Sequence, residues 1–376
     1  MPIFSASRLT VARCRRGLTK KALAEMIDHS AQSLTYYEEE KRQPDIQVVH
    51  RLSFATGFPV AFFYGPDISL IGAEAVSFRT VRSLKASLRG QALAAGAIST
   101  EIISPAIRRR FNLPQLDLPD LSREAPETAA ASLRHSWRLG QGPIHNMAHL
   151  LESRGVEVYW INEQDRCLDA FAYWRGETPY ILLNSSKEAG DRGRFDAAHE
   201  LGHLVLHRHK EDLQGRDVET EAHRFASAFL LPAEQFRQES PRLPVLSRYY
   251  SLKRRWGCSI QAMVRRGYDL KLFSEWHYEQ AAKEMSILGW RSSVPEPVSV
   301  PREVSLLHNM VFDMLKKKEI SPKEWAQELT IPLSEILEMM PVSRNFLKSE
   351  KIEAFPPDDS HYGRSDDKIL RLDFGT

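Results

Sequence analysis

The 376-residue sequence is poor in cysteine, with only Cys14, Cys167 and Cys258. They lie far apart with no C-x-x-C spacing. That excludes a thiolate zinc site and a disulfide framework, and suits small, partly buried, reduced thiols of the cytosol. Long apolar runs are missing as well. The N-terminal MPIFSASRLTVARCRRGLT has no hydrophobic stretch after its basic residues, and no later segment reaches the length of a bilayer crossing, so neither a secretion signal nor a membrane anchor is expected. Nor does one sign of charge prevail. The 51 basic residues face 49 acidic ones, a net charge of +2, which argues against a uniformly nucleic-acid-coating chain and leaves any such contact to a local patch. With 42% hydrophobic residues there is material for globular cores, and the length calls for two or more domains. A cytoplasmic globular protein is expected.

Against this background AAHELGHLVLH, Ala197 to His207, is the most informative stretch. Its apolar residues predict a helix, which places i and i+4 on one face, so His199 and His203 stand one turn apart with the bite a zinc ion accepts. Glu200 beside them fits the proton-handling base of the H-E-x-x-H pattern. Such a site needs a third protein ligand, and VETEAHRFASAFLLP offers Glu219 and Glu221. The apolar face of that helix is Ala222, Phe225, Ala226 and Phe229. Glu219 falls near it, and Glu221 falls farther round, toward solvent. His207 and His209 are read as leaving the i, i+4 face for a solvated helix end.

Residues 8–64 read as several short helices. Ser7 can cap a helix through about Arg15, and Thr19 a second with Ala22, Leu23, Met26 and Ile27 inward. Ser30 can cap a third with Leu34 and Tyr37 inward. Two short helices across a tight turn suggest helix-turn-helix. The stretch LTKKALAEMIDHSAQSLTYYEEEKRQPD, Leu18 to Asp45, resembles the XRE-type, phage-repressor-like DNA-binding domain. Its recognition helix would then offer Ala31, Gln32, Ser33, Thr35 and Tyr36 to the major groove, with Gln32 the best base reader and Arg42 nearby on the backbone. The region holds nine basic residues (Arg8, Arg13, Arg15, Arg16, Lys20, Lys21, Lys41, Arg42 and Arg51) against six acidic ones. Three positions depart from the family: Glu39 and Glu40 stand where a basic residue and a glycine are usual, and Asp28 replaces the turn glycine. The alternative is a small helical domain used for protein contact.

A basic, Ala-rich helical section follows, in which Arg79, Arg82, Lys85 and Arg89 recur at helical spacing, as a phosphate track or a solvated face. LPQLDLPDLSREAPE marks a linker near 113–127. Two helices then precede VEVYWI, LDAFAYWR and PYILLN, three predicted strands, and the helix pair, sheet and metal helix make an α+β unit. Together H-E-L-G-H, E-x-E-A-x-x-F-A and L-L-P, with WRLGQGPI, RGRFDAAHELGHLVLH, LKRRWGCSIQAMVRRGYDL and GWRSSVPEP, resemble the ImmA/IrrE metallopeptidases over about residues 126–298. The resemblance implies His199, His203 and Glu219 as Zn2+ ligands in a gluzincin-like fold and Glu200 as catalytic base. His223, where the family usually has Asn or Asp, would sit behind a ligand. A strand, LDAFAYWR or PYILLN, would align an extended substrate. His207, His209, His223, Tyr249 and Tyr250 are candidates to stabilise the oxyanion.

Beyond the proline-rich SSVPEPVSVPREV, a Ser321-capped helix and a Ser334-containing helix resemble a second, degenerate helix-turn-helix suited to protein contact or autoregulation. ILRLDF near the end is apolar enough to dock as a strand. The expected division is therefore 1–66 helix-turn-helix, 67–125 helical basic connector and linker, 126–298 peptidase, and 299–376 helical C-terminal region and tail. The expected function is a DNA-associated zinc endopeptidase that cleaves a repressor-like or antitoxin-like protein in stress, mobile-element or phage-defence control. The alternative is a transcriptional regulator whose peptidase fold only senses. Double-stranded DNA and a protein substrate are the expected partners, without a membrane, and a homodimer is compatible with the sequence.

Overall fold

The computed structural model describes residues 3–72, 76, 85–162, 168–185, 190–210, 216–290, 294–342 and the backbone of 370–371. Arg79, Arg82, Cys167, residues 291–293 of the GWRSSVPEP segment and the rest of the tail lie outside them. No described helix is long and apolar enough to cross a membrane.

Helices α1 (Ala6–Arg15), α2 (Lys20–Met26), α3 (Ala31–Glu38) and α4 (Ile46–Thr56) form the N-terminal unit. Thr19 and Ser30 cap α2 and α3, accepting from the amides of Ala22 and Ser33 at 3.1 Å each. The first helix is capped differently from the expectation. Ser5, not Ser7, accepts from the Arg8 amide, and Ser7 instead donates to Asp67. Leu23, Ala24 and Ile27 line the inner face of α2, while Met26, expected inward, is exposed. Asp28 and Glu40, the two positions where glycine was missed, both adopt left-handed backbone, with φ of 56° and 58°. The turns thus keep the conformation that favours glycine, at a local cost.

The Ala-rich section contributes to the first core, while Lys85 before it is exposed. In α5 (Ala86–Ile98), Ala92 and every residue from Ala94 to Ile98 are buried. It runs through a π-helical turn, Ser99–Ile103, into α6 (Ser104–Arg110). Pro105 sits just after that turn and lacks the N–H that a regular helix would need there. The linker that follows is pinned, not free: the Leu121 amide donates to the Val205 carbonyl at 2.9 Å, and Leu118 and Leu121 are buried.

After α7 (Pro126–Ser136) and α8 (Met147–Ser153) come the three expected strands, β2 (Glu157–Ile161), β3 (Ala170–Arg175) and β4 (Thr178–Asn184); β1 is the short Phe111–Asn112. The sheet order is β2-β4-β3, with β4 parallel to β2 and antiparallel to β3. A two-residue turn joins β3 to β4, and Gly176 takes φ 57° there. Strands buried on both faces are apolar at successive positions, and here alternate residues serve different cores. Tyr159, Ile161, Phe171, Tyr173, Tyr180 and Leu182 join a cluster with the N-terminal helices and α5. Val158, Trp160, Ala170, Ala172, Ile181 and Leu183 join the other, which holds α9 (Gly190–Leu206) and α10 (Arg216–Leu230).

Helices α11 (Ala233–Glu239), α12 (Tyr249–Trp256), α13 (Ile260–Asp269) and α14 (Glu275–Ile287) complete the second cluster. Helices α15 (Leu306–Lys317), α16 (Pro322–Leu329) and α17 (Leu333–Met339) return to the first. Ser321 caps α16 in a reciprocal capping box with Glu324. Acidic α17 meets basic α1: Glu335 bonds Arg15 at 2.7 Å and Arg16 at 2.6 Å, and Glu338 bonds Arg15. Residues Leu370–Arg371 of ILRLDF pair in parallel with β1 as β5.

Candidate metal centre and helix-turn-helix surface

Helix α9 passes beneath the sheet, and Trp174 of the edge strand β3 donates to the Leu204 carbonyl at 3.3 Å. Its packing on α10 buries Ala222, Phe225, Ala226 and Phe229, the expected face. That face carries Glu219 to the two imidazoles. His199 Nε2 and His203 Nε2 lie 3.1 Å apart. Glu219 Oε2 is 3.2 Å from the first, and its Oε1 is 3.6 Å from the second. No other group of three or more His, Cys, Asp or Glu residues among the described residues converges so that it could hold a metal ion.

This donor set fits zinc. Ligand atoms held at about 2.0–2.2 Å in a tetrahedron are separated by roughly 3.3 Å, close to the separations seen. Both carboxylate oxygens of Glu219 are buried without a hydrogen-bond partner among the described residues, a costly state unless a cation completes it. Burial, then the neighbouring His199, pushes the His203 imidazole well below its ordinary pKa, so the ring is neutral and has a lone pair to give. Glu200 is 3% exposed on the same helix.

His203 has a further neighbour on its other side. His207, read as a solvated helix-end residue, is 1% exposed. It lies four residues after His203 and so continues the same helix face, and α10 supplies its partner Glu221. His207 Nδ1 is 3.0 Å from His203 Nδ1, and its Nε2 is 2.9 Å from Glu221 Oε2. Lys210 Nζ is 2.8 Å from the same carboxylate oxygen. Glu221 is partly exposed, as expected. Its pKa, pushed up by partial burial, is held below the ordinary carboxylate range by the bonds from Lys210 and His207. The signal available in the sequence was the spacing 199, 203, 207. His209 does sit in solvent, bonded to Asp120 at 2.9 Å.

His223 is outside the ligand cluster. Its ring packs on Phe195 at 4.8 Å and edge-on to His199 at 5.7 Å. Tyr249 is buried in the second core, its hydroxyl 3.7 Å from where a Cβ on Gly267 would stand, and Tyr250 is half-buried. Of the two strands expected to meet a substrate, β4 is central and paired on both sides, whereas β3 lies at the edge of the described sheet.

On the N-terminal unit, Ala31, Gln32, Tyr36 and Arg42 are exposed and Ser33 and Thr35 half-buried, all on or beside α3. Gln32 Nε2 donates to the Tyr36 hydroxyl at 2.7 Å, and Thr35 Oγ1 donates to the Ala31 carbonyl. Four of the nine basic residues are spent internally, Arg16 on the Thr56 carbonyl and Glu335. Arg8 bonds the carbonyls of Pro66 and Phe62, Arg13 bonds Glu38, and Arg15 is buried against α17. Lys21, Arg42 and Arg51 remain exposed near the surface of the unit.

Residues 11–63 match the helix-turn-helix family model, and residues 151–267 match that of the Peptidase M78 family, described as the IrrE N-terminal-like domain. The chain joins a helix-turn-helix domain, a fold suited to DNA, to an IrrE-like, peptidase-like domain. No curated protein matches the chain.

Proposed function

We propose that the protein is a DNA-associated, zinc-dependent endopeptidase that cleaves a partner protein of the repressor or antitoxin class, and so controls a stress, mobile-element or phage-defence response. The observation that carries the reading is the convergence of His199, His203 and Glu219, with the Glu219 carboxylate buried and lacking hydrogen bonds, beside the buried Glu200. His199, His203 and Glu219 would hold the ion. When bound, zinc supplies the Lewis acid that polarises a peptide carbonyl and acidifies a water. Glu200 takes the proton of the attacking water and passes it to the leaving amine. Strand β3 pairs with β4 alone among the described residues, so its outer edge aligns an extended substrate by backbone pairing. The helix-turn-helix unit brings the protein to duplex DNA through Gln32 and its neighbours on α3, with Arg42 on the phosphates.

The test is Glu200→Gln. The variant should keep its fold, its metal and its DNA binding, yet lose cleavage of the cognate partner and the regulatory effect in cells. A variant that regulates as well as the wild type would replace the peptidase by a non-catalytic sensor.

A further inference from the structure

The side of His203 facing away from Glu219 carries a chain of polar side chains that ends at the surface. Lys210 Nζ contacts Glu221 Oε2 at 2.8 Å, Glu221 Oε2 contacts His207 Nε2 at 2.9 Å, and His207 Nδ1 contacts His203 Nδ1 at 3.0 Å. The His207 side chain has no solvent exposure, while Glu221 and Lys210 are each about two-fifths exposed, 41% and 42%. The direction of the protons along this chain follows from the chemistry of its outer end. A carboxylate only accepts, so His207 must donate from Nε2. A neutral imidazole carries one N–H, so His207 Nδ1 is then a lone pair and accepts the N–H of His203 Nδ1. His203 is thereby left with its lone pair on Nε2, the atom that meets His199 and Glu219.

We propose that His207 and Glu221 are positioning residues for the metal centre. Glu221 fixes the tautomer of His207, His207 fixes the tautomer and ring orientation of His203, and His203 Nε2 is held ready as a ligand before any ion arrives. The inference rests on the metal reading of His199, His203 and Glu219 and deepens it. Lys210 keeps the Glu221 carboxylate turned toward α9. In the reversed tautomer His203 Nε2 would carry a proton into the ligand cluster, and that proton would have to leave before an ion could bind. The relay joins His203 of α9, His207 and Lys210 just beyond its C-terminal end, and Glu221 of α10, so it also ties the ligand to the packing of the pair.

The experiment compares full-length wild type, Glu221→Leu, Glu221→Gln and His207→Phe. Zinc affinity is read by competition with a chromophoric chelator, and the His203 tautomer by 15N NMR of the metal-free protein. Glu221→Leu and His207→Phe should each weaken zinc binding by about 10- to 100-fold, the usual effect of removing a partner behind a metal ligand. Glu221→Gln, which retains an acceptor oxygen, should lose less than Glu221→Leu. Metal-free Glu221→Leu should remain folded, and its His203 should shift from the Nδ1–H form to a mixture. If wild type binds zinc and Glu221→Leu and His207→Phe bind it within about two-fold as well, this inference falls and the metal centre stands. If wild type itself binds no zinc, both fall.

Discussion

Gly202 separates the two helices that bring the ligands together, and its replacement tests whether their spacing sets the metal site. A Cβ at this position would lie 3.0 Å from Phe225 Cδ1 and 3.3 Å from both the Cα and the carbonyl oxygen of Ala222. Comfortable carbon contacts are about 3.5–4.0 Å, so alanine needs the helices to part by roughly 0.5 Å. Two of these neighbours are backbone atoms and cannot swing aside. Alanine is also favoured over glycine inside a helix by about 1 kcal/mol, which offsets the crowding and leaves Gly202→Ala within about 1 kcal/mol of wild type. Valine carries two further carbons about 1.5 Å beyond Cβ, and overpacking of this kind costs about 1–3 kcal/mol. It would press on Ala222, three residues after Glu219 and on the same helix face, and so draw the carboxylate away from the imidazoles. Gly202→Val should therefore lower the melting temperature and weaken zinc binding at least about tenfold, each tenfold being about 1.4 kcal/mol. Denaturation of the metal-free protein and chelator competition measure the two effects separately. If Gly202→Val melts and binds zinc like the wild type, the close approach of α9 and α10 does not define the site.

Metal analysis of wild-type protein should find about one zinc per chain, and His199→Ala or His203→Ala should lose it, because two remaining ligands hold the ion poorly; wild-type zinc content in either variant would refute the ligand set. Burial holds the His308 imidazole down at about 3 against an ordinary 6.5. Between those values the unfolded chain binds a proton that the folded chain refuses, so stability is full above 6.5 and falls as pH drops toward 3. His308→Phe should flatten that acid limb by up to roughly 1.4 kcal/mol per pH unit, and parallel stability curves for the two proteins would contradict the assignment. DNA binding should weaken steeply with salt, and Gln32→Ala should relax sequence preference more than it weakens non-specific binding in gel shifts. Salt-independent binding, or none, would favour a protein-contact role for α3.

Local chemistry explains what could be read from the sequence. Thr19, Ser30 and Ser321 announce their helices because a hydroxyl cap acts on an amide three residues away. VEVYWI, LDAFAYWR and PYILLN read as strands because β-branched and aromatic residues crowd them. His199 and His203 share a face by helix geometry alone. What escaped depends on contacts distant in the chain. His207 is buried and bonded to Glu221 on α10, and nothing within α9 states that. In α5 the run from Ala94 to Ile98 has no polar face, a pattern proper to a helix enclosed on all sides, yet the basic residues before it suggested solvent. Its enclosure is visible at Gly96, where a Cβ would meet Ile71 of the preceding segment at 2.6 Å and the Tyr173 hydroxyl of the sheet at 3.2 Å. Arg15 counted toward a DNA-facing charge until Glu335, 320 residues away, claimed it.

The sheet gives these separations a functional meaning. In register, Tyr159 of β2 and Phe171 of β3 both align with Leu182 of β4, and all three face the cluster that includes the helix-turn-helix unit. One residue on, Trp160 and Ala170 align with Leu183 and face the cluster that includes the metal helix. The strands are thus a common wall, and the period of two makes each neighbouring pair of residues report to opposite cores. The C-terminal helices secure the first side. Glu335 and Glu338 grip α1, and Glu338 also accepts from the Asn162 amide at the end of β2 at 3.0 Å. A carboxylate that bonds both Arg15 and the strand end links the helix-turn-helix unit to the sheet directly. Arg15 and Glu335 are buried at both ends of their ion pair, and loss of one partner from such a pair costs about 3–5 kcal/mol, far more than an exposed ion pair contributes, so the two units are joined more firmly than a proline-spaced linker implies. The α3 surface and the helix that carries His199 and His203 are thus connected by continuous packing through α1, α5 and the shared sheet, not by the linker alone.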